Sequence, residues 1–215
     1  MIKLFGRSTS INVQKVMWVL AELNLKYDRF DVGGAFGGLN DAEYIALNPH
    51  QKVPTLVDDT VVLWESNAIL RYLADAYGRD VIFGTTPAAR GTSDMWMEWY
   101  QNSVYPNFQA IFHQKVRLRS TERSSDVLAR AQDVVFKQFS LFDSKLESTE
   151  FINGDHLTLG DVPMAACLYR YFTMDIERPD YPQIARYYES LTQRSTFSEN
   201  VMINYDSLRT PELTD

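Results

Sequence analysis

Gln51-Lys52-Val53-Pro54-Thr55-Leu56-Val57 sets a proline at the entrance of an apolar, β-branched run. Proline removes one ladder donor, so the run reads as a strand whose first residues lie at an edge or bulge. Asp58-Asp59-Thr60 separates it from a second apolar run, Val61-Val62-Leu63-Trp64, and the pair is a hairpin signal. Glu65-Ser66 follows, and from Ser66 to Tyr77 the residues Ile69, Leu70, Tyr72, Leu73 and Ala76 recur at helical spacing, with Gly78 able to end the helix. This half of the N-terminal region is therefore β-β-α.

Upstream, Ile2–Phe5 is a short apolar strand and Gly6–Thr9 a polar turn. Val13, Val16, Met17, Val19, Leu20 and Leu23 mark a helix over Asn12–Leu23, which Ser10 or Asn12 can cap. Tyr27–Val32 alternates like a strand. Four glycines fall within the eight residues 33–40, which read as a loop, and Asp41–Leu47 offers one or two helical turns. The order β-α-β, β-β-α predicts a compact α/β domain over 1–80.

Downstream of a linker near 79–87 the strand signals stop. Helical patterns cover Ala88–Leu118, with a bend expected near Pro106, then Ser124–Leu146, Leu159–Phe172 and Gln183–Leu191. The second domain, 87–207, is thus expected to be all-α. Thr158-Leu159-Gly160-Asp161 has the form of a capping box. Thr158 would accept from the Asp161 amide, Asp161 would reach back, and Leu157 and Val162 would form a hydrophobic staple. The tail Thr210–Asp215 is polar and expected to fray.

Length and composition narrow the function. A chain of 215 residues, 45% hydrophobic and 23% charged, is neither disordered nor in need of disulfide or metal staples. With 21 Lys and Arg against 28 Asp and Glu, the net charge of −7 argues against a general nucleic-acid binder. The lone Cys167 forbids an intrachain disulfide and suits a reducing compartment; its plain reading is a small buried core residue. The three histidines lack metal-ligand spacing, so no metal is expected. Met1–Arg7 holds no apolar signal-peptide core, and no apolar run approaches the ~20 residues of a membrane span. A cytoplasmic protein is expected.

Three features carry chemistry. A cis Val53–Pro54 bond would let Val53 offer its N–H and C=O to a peptide-like ligand in the manner of strand addition. Ser66 begins a helix whose free amides suit a carboxylate, and Glu65 beside it suits an amine. Ser8-Thr9-Ser10-Ile11-Asn12 sets small donors at a helix N-terminus, where a thiolate is stabilised. Each alone has a plainer reading as an edge proline, a helix cap with a solvated charge, or an N-cap.

Together, Gly6-Arg7 and Ser10–Val16, Asn48-Pro49-His50-Gln51-Lys52-Val53-Pro54-Thr55-Leu56, and Trp64-Glu65-Ser66-Asn67-Ala68-Ile69-Leu70-Arg71-Tyr72-Leu73 resemble a bacterial cytosolic glutathione S-transferase of the theta-like and beta-like group. The resemblance covers about residues 1–205. It implies a thioredoxin-like N-terminal domain that binds glutathione as co-substrate, and a helical C-terminal domain that shapes the electrophile site. By motif, Pro54 would position Val53 against the cysteinyl part. Glu65 and Ser66 would hold the γ-glutamyl amine and carboxylate. Lys52, with Gln51 or His50, would meet the glycyl carboxylate. The sulfur donor is Ser10, Asn12, Ser8 or a backbone amide. The family places the electrophile near the first helix region and the first helices of the second domain, here Tyr105, Phe108, Phe112 and Arg117. It usually forms homodimers and serves detoxification. The beta-type cysteine is missing from this turn.

The implied mechanism rests on thiol acidity. A thiol of pKa ~8.5 is only a few per cent ionised at neutral pH, and lowering it two units takes roughly 2.7 kcal/mol. One charge-assisted hydrogen bond, about 1.5–3 kcal/mol, is of that size. Dehalogenase, peroxidase or isomerase activity on the same scaffold, or a non-catalytic binding role, are the alternatives.

Overall fold

The computed structural model describes residues 1–211, leaving aside the side chains of 79–81 and 83. The chain forms two compact units, Met1–Arg90 with Gln193–Ile203, and Gly91–Thr192 with the segment from Asn204 onward.

In the first unit the strands are β1 (Ile2–Phe5), β2 (Tyr27–Phe30), β3 (Thr55–Asp58) and β4 (Val61–Trp64), in sheet order β2-β1-β3-β4. β1 runs parallel to β2 and antiparallel to β3, which pairs antiparallel with β4. The helices are α1 (Ile11–Glu22), α2 (Ala42–Leu47) and α3 (Ser66–Leu73). The expected β-α-β, β-β-α order is found. α1 and α3 pack together, and Leu4, Leu56, Val13, Val16, Leu20, Ile69 and Leu70 are all fully buried in the core.

Register fixes the site. Phe5 pairs with Thr55, and Thr55 with Trp64. The end of β1, the entrance of β3 and the end of β4 therefore meet at one end of the sheet. Gly6–Ser10, Val53–Pro54 and Glu65–Ser66 are delivered there from three separate parts of the chain.

The segment 193–203 joins this first unit. Its helix α9 (Ser195–Val201) packs on α1, with the Phe197 and Trp18 rings 4.9 Å apart. Glu22 ties the two helices together. It accepts from Trp18 Nε1 at 2.9 Å, from Arg194 Nη2 at 2.8 Å, and from the Thr196 hydroxyl. Burial pushes the Glu22 carboxyl up, but the hydrogen bonds from Arg194, Thr196 and Trp18 outweigh it and hold the group below its ordinary value. A carboxylate so depressed stabilises the fold above its ordinary pKa, and that stabilisation is lost on acidification. Glu22→Gln is therefore expected to lose roughly 1.5–3 kcal/mol at pH 7, with the gap from wild type closing as pH falls below the ordinary value of 4.5. Urea midpoints across that range check it.

The second unit is helical: α4 (Pro87–Trp99, whose first turn lies in the first unit), α5 (Tyr105–Phe112), α6 (Ser125–Lys145), α7 (Val162–Thr173) and α8 (Pro182–Thr192). The long helix expected over Ala88–Leu118 is found as an unbroken helical run from Pro87 to Arg117, with widened turns at Tyr100–Val104 and His113–Arg117. There the Tyr105 amide reaches the Tyr100 carbonyl and the Leu118 amide the His113 carbonyl, five residues back. Pro106 explains the first widening, because it has no N–H to return to residue 102. Ser124 caps α6 by accepting from the Val127 amide at 3.3 Å.

The expected capping box is half right. Asp161 does reach back, taking the Thr158 amide at 2.8 Å and the Thr158 hydroxyl at 2.9 Å. Its own amide goes to the Thr158 carbonyl rather than the hydroxyl, which accepts from Asn153 Nδ2. Helix α7 consequently starts at Val162, three residues later than expected, with Pro163 in its first turn. The tail expected to fray lies, from residue 212, outside the described residues.

Candidate functional site

At the converging end of the sheet, Asn48 organises the loop before β3. Buried, it donates from Nδ2 to the Lys52 carbonyl at 2.8 Å and to Thr55 Oγ1 at 2.9 Å, while its Oδ1 accepts from the His50 amide at 3.0 Å. The Tyr44 hydroxyl, from α2, donates to the same Lys52 carbonyl at 2.6 Å and contacts Thr55 Oγ1 at 2.9 Å. This frame fixes Gln51 and Lys52 with exposed side chains, and Gln51 has a positive φ of 55°. The Val53–Pro54 bond is cis. Neither the N–H nor the C=O of Val53 is hydrogen-bonded among the described residues. A peptide-like edge is thus available beside the sheet.

Gly6 makes this arrangement possible. A Cβ there would stand 2.5 Å from Val13 Cγ2 and 3.1 Å from the Val53 Cβ, at a φ of +150°. The close approach brings the α1 turn against Val53. In that turn Ser10 occupies the N-cap position of α1, but its hydroxyl caps nothing; its carbonyl accepts from the Val13 and Gln14 amides. Gln14 Nε2 holds the Ser8 carbonyl at 2.9 Å.

Glu65 precedes α3 with an exposed side chain and a φ of +72°. A left-handed glutamate is sparsely populated, and such residues cluster at binding sites. Ser66 opens α3, is 6% exposed, and directs its hydroxyl to Asn12 Oδ1 at 3.4 Å. That contact joins the two helix N-termini. Next to it, Asn67 is 8% exposed and its Oδ1 has no hydrogen-bond partner among the described residues. The His50 and Trp64 rings, 5.8 Å apart, close the side of the loop toward β4. Ser10, Asn12, Gln51, Lys52, Val53, Pro54, Glu65 and Ser66 therefore belong to one unit and to one end of its sheet. Sequence reasoning missed the roles of Tyr44, Asn48 and Gly6. Asn48-Pro49 was a readable turn signal, but nothing local marked Tyr44 as its partner.

The electrophile residues belong to the helical unit. Phe108 and Phe112 are 2% and 4% exposed, and Phe112 packs on Tyr205 with ring centroids 5.5 Å apart. They sit in the core, as aromatics at helical spacing usually do. Tyr105 and Arg117 remain half-exposed. A depression of about 400 Å³ on this unit is lined by Pro106, Gln109, Ala110, His113, Gln114 and Leu118, and by none of the four expected residues. Among the described residues no cluster of His, Cys, Asp and Glu can hold a metal ion, and no helix is long and apolar enough to cross a membrane.

The glutathione S-transferase N-terminal domain family matches residues 1–75, and the C-terminal domain family residues 99–195. Glutathione S-transferase GstB of Escherichia coli is 35% identical over 205 residues, 94% of this chain and 99% of its own. Glutathione S-transferase 3 of Zea mays is 29% identical, covering 93% of both chains. The crystal structure of a theta class glutathione S-transferase from Xanthomonas axonopodis pv. citri with glutathione bound is 36% identical, with a TM-score of 0.91 over 94% of this chain and 98% of that one. By sequence and by fold, the chain belongs to the glutathione S-transferase family.

Proposed function

We propose that glutathione lies across the entrance of β3 and the start of α3, and that the chain transfers it to small electrophiles. The unused N–H and C=O of Val53, beside the open end of α3, carry this reading. The cysteinyl backbone pairs with Val53 as an added strand would. The γ-glutamyl carboxylate takes the Ser66 hydroxyl and the α3 amides, and Glu65 takes the amine. Lys52, with Gln51 or His50, meets the glycyl carboxylate. Residues 1–80 thus form the glutathione domain, and 87–207 form the domain that receives the electrophile. The same reading makes the working form a cytoplasmic homodimer with a detoxifying role.

Bound in this way, the thiol lies near the start of α1. There the helix dipole contributes about 0.3–1 kcal/mol, and one hydrogen bond to the sulfur about 1.5–3 kcal/mol. The thiolate attacks an electrophilic carbon with little further proton transfer by the protein. Ser10 is the leading donor because its hydroxyl is not spent on capping; Asn12, whose Oδ1 accepts from Ser66, is the alternative through its Nδ2. The pH dependence of conjugation tests the assignment. Ser10→Ala is expected to move the apparent thiol pKa upward by about one to two units and lower turnover accordingly, with a smaller effect on glutathione affinity. An unmoved profile in Ser10→Ala with a shifted one in Asn12→Ala transfers the role to Asn12.

A further inference from the structure

Helix α1 buries Gln14, at 1% exposure, among apolar neighbours. A buried amide costs free energy unless it is hydrogen-bonded, so its partner matters. The Gln14 side chain donates from Nε2 to the Ser8 carbonyl at 2.9 Å, and its backbone amide donates to the Ser10 carbonyl at 2.9 Å. Gln14 therefore grips the chain on both sides of Thr9. The grip falls on a β-turn, because the Ser10 amide donates to the Arg7 carbonyl at 3.1 Å with Ser8 and Thr9 between them. The peptide joining the two central residues has no bond within such a turn and is the part free to rotate. Its carbonyl is that of Ser8, which Gln14 holds. Neither Ser8 nor Thr9 has a positive φ. A full flip would put the β-branched Thr9 in the left-handed region, which it resists. Losing the Gln14 bond thus loosens this peptide plane without reversing it. The looseness passes to the next residue, Ser10, where the turn becomes helix.

We propose that Gln14 is a positioning residue for thiol activation: by fixing the Ser8–Thr9 peptide it aims the Ser10 hydroxyl at the glutathione sulfur. The proposal rests on the reading that glutathione lies at this end of the sheet and that Ser10 is the donor. A hydrogen bond weakens steeply as it departs from its preferred angle, so a small rotation at Ser10 lowers thiol ionisation while the ligand stays in place. Val53, Glu65 and Ser66, which hold the rest of glutathione, lie on other segments. The cations of the turn and of the elements packed on it are Arg7, whose side chain lies along Gly33 and Gly34, Lys15 on α1, and Arg29, which donates to the Gly6 carbonyl at 3.0 Å. The anions are Asp31, paired with Arg29, and Glu65. Substitution of Gln14 leaves all five in place, so a change in thiol ionisation reports on the turn.

The ultraviolet absorption of the thiolate in the binary complex with glutathione, followed against pH, reads ionisation without an electrophile. Gln14→Met is close in shape and lacks the donor. It is expected to raise the apparent thiol pKa by about half a unit, a roughly threefold loss in the ionisation constant, against about one to two units for Ser10→Ala. The double variant is expected to match Ser10→Ala alone, because a residue that acts through Ser10 then has nothing left to act on. Glutathione affinity at pH 7 is expected to change by about twofold or less in Gln14→Met, as the lost ionisation alone requires. If Gln14→Met does not fold, Gln14→Asn keeps a buried amide one methylene short of the Ser8 carbonyl and is expected to move the pKa in the same direction. An unmoved thiol pKa in a folded Gln14 variant overturns the proposal while leaving the glutathione site intact. A double variant whose shift is the sum of the two single shifts does the same. An unmoved pKa in Ser10→Ala overturns the reading of Ser10 as the donor, and this proposal with it.

Discussion

Asp161→Ala is expected to lower unfolding stability by about 3–5 kcal/mol, the largest effect of any single substitution considered. The side chain is fully buried at the start of α7. It accepts from the Ile152 amide at 2.8 Å, the Thr158 amide at 2.8 Å, the Thr158 hydroxyl at 2.9 Å and the Tyr187 hydroxyl at 3.1 Å. Removing it strands two backbone donors and deprives two hydroxyls of their acceptor, where water cannot replace the carboxylate. Burial raises the Asp161 carboxyl to about 6, and the hydrogen bonds from Ile152, Thr158 and Tyr187 oppose the rise. A raised folded-state value gives stability that is complete below the ordinary pKa of 3.8 and is lost as pH climbs through about 6. Stability gaps between wild type and Asp161→Asn, from urea midpoints between pH 4 and 7, should therefore be widest at the acid end and level off above pH 6. A gap independent of pH would show that the carboxyl titrates alike in the folded and unfolded chain.

Ser66→Ala is expected to weaken glutathione binding at least about tenfold, within the roughly 1.5–3 kcal/mol of a hydrogen bond to a charged group. Ser66 is nearly buried, so its hydroxyl competes little with bulk water, and among the described residues its partner is the Asn12 amide oxygen at 3.4 Å. A ligand carboxylate is the stronger acceptor and also draws on the α3 amides. The loss of an oxygen atom at a helix start leaves the fold almost unaffected, since no side-chain cap is present to be lost. Calorimetric titration of wild type and Ser66→Ala side by side gives the ratio directly.

How much of this was legible beforehand follows from which forces act locally. Strand and helix periods, the proline at the entrance of β3 and the glycines after β2 are local, and they gave the sheet and its helices in the right order. Motif order likewise pointed to Val53, Glu65 and Ser66. What escaped depends on partners distant in the chain. α9 has only Phe197 and Val201 to bury, four residues apart. Nothing in so short a pattern says that its neighbours are Trp18 and Glu22, more than 170 residues earlier. The widened turns at Tyr100–Val104 and His113–Arg117 preserve helical periodicity closely enough to hide within one long pattern. Phe108 and Phe112 show the converse: helical spacing marked them correctly as one apolar face, but could not say whether that face meets a ligand or the Tyr205 ring. The left-handed backbones of Gln51 and Glu65 leave no trace in composition, because neither residue is a glycine or asparagine.

The central claim is that Val53, Glu65 and Ser66 form the glutathione site, and amide resonances report on it residue by residue. Glutathione titrated into the ¹⁵N-labelled wild-type protein at pH 7 should shift the Val53, Glu65 and Ser66 amides together with one saturating curve. The Val53 amide should also become protected from hydrogen exchange as it gains the partner it lacks in the free protein. Saturating glutathione that leaves these three amides unmoved, or that leaves Val53 exchanging as before, would contradict the account.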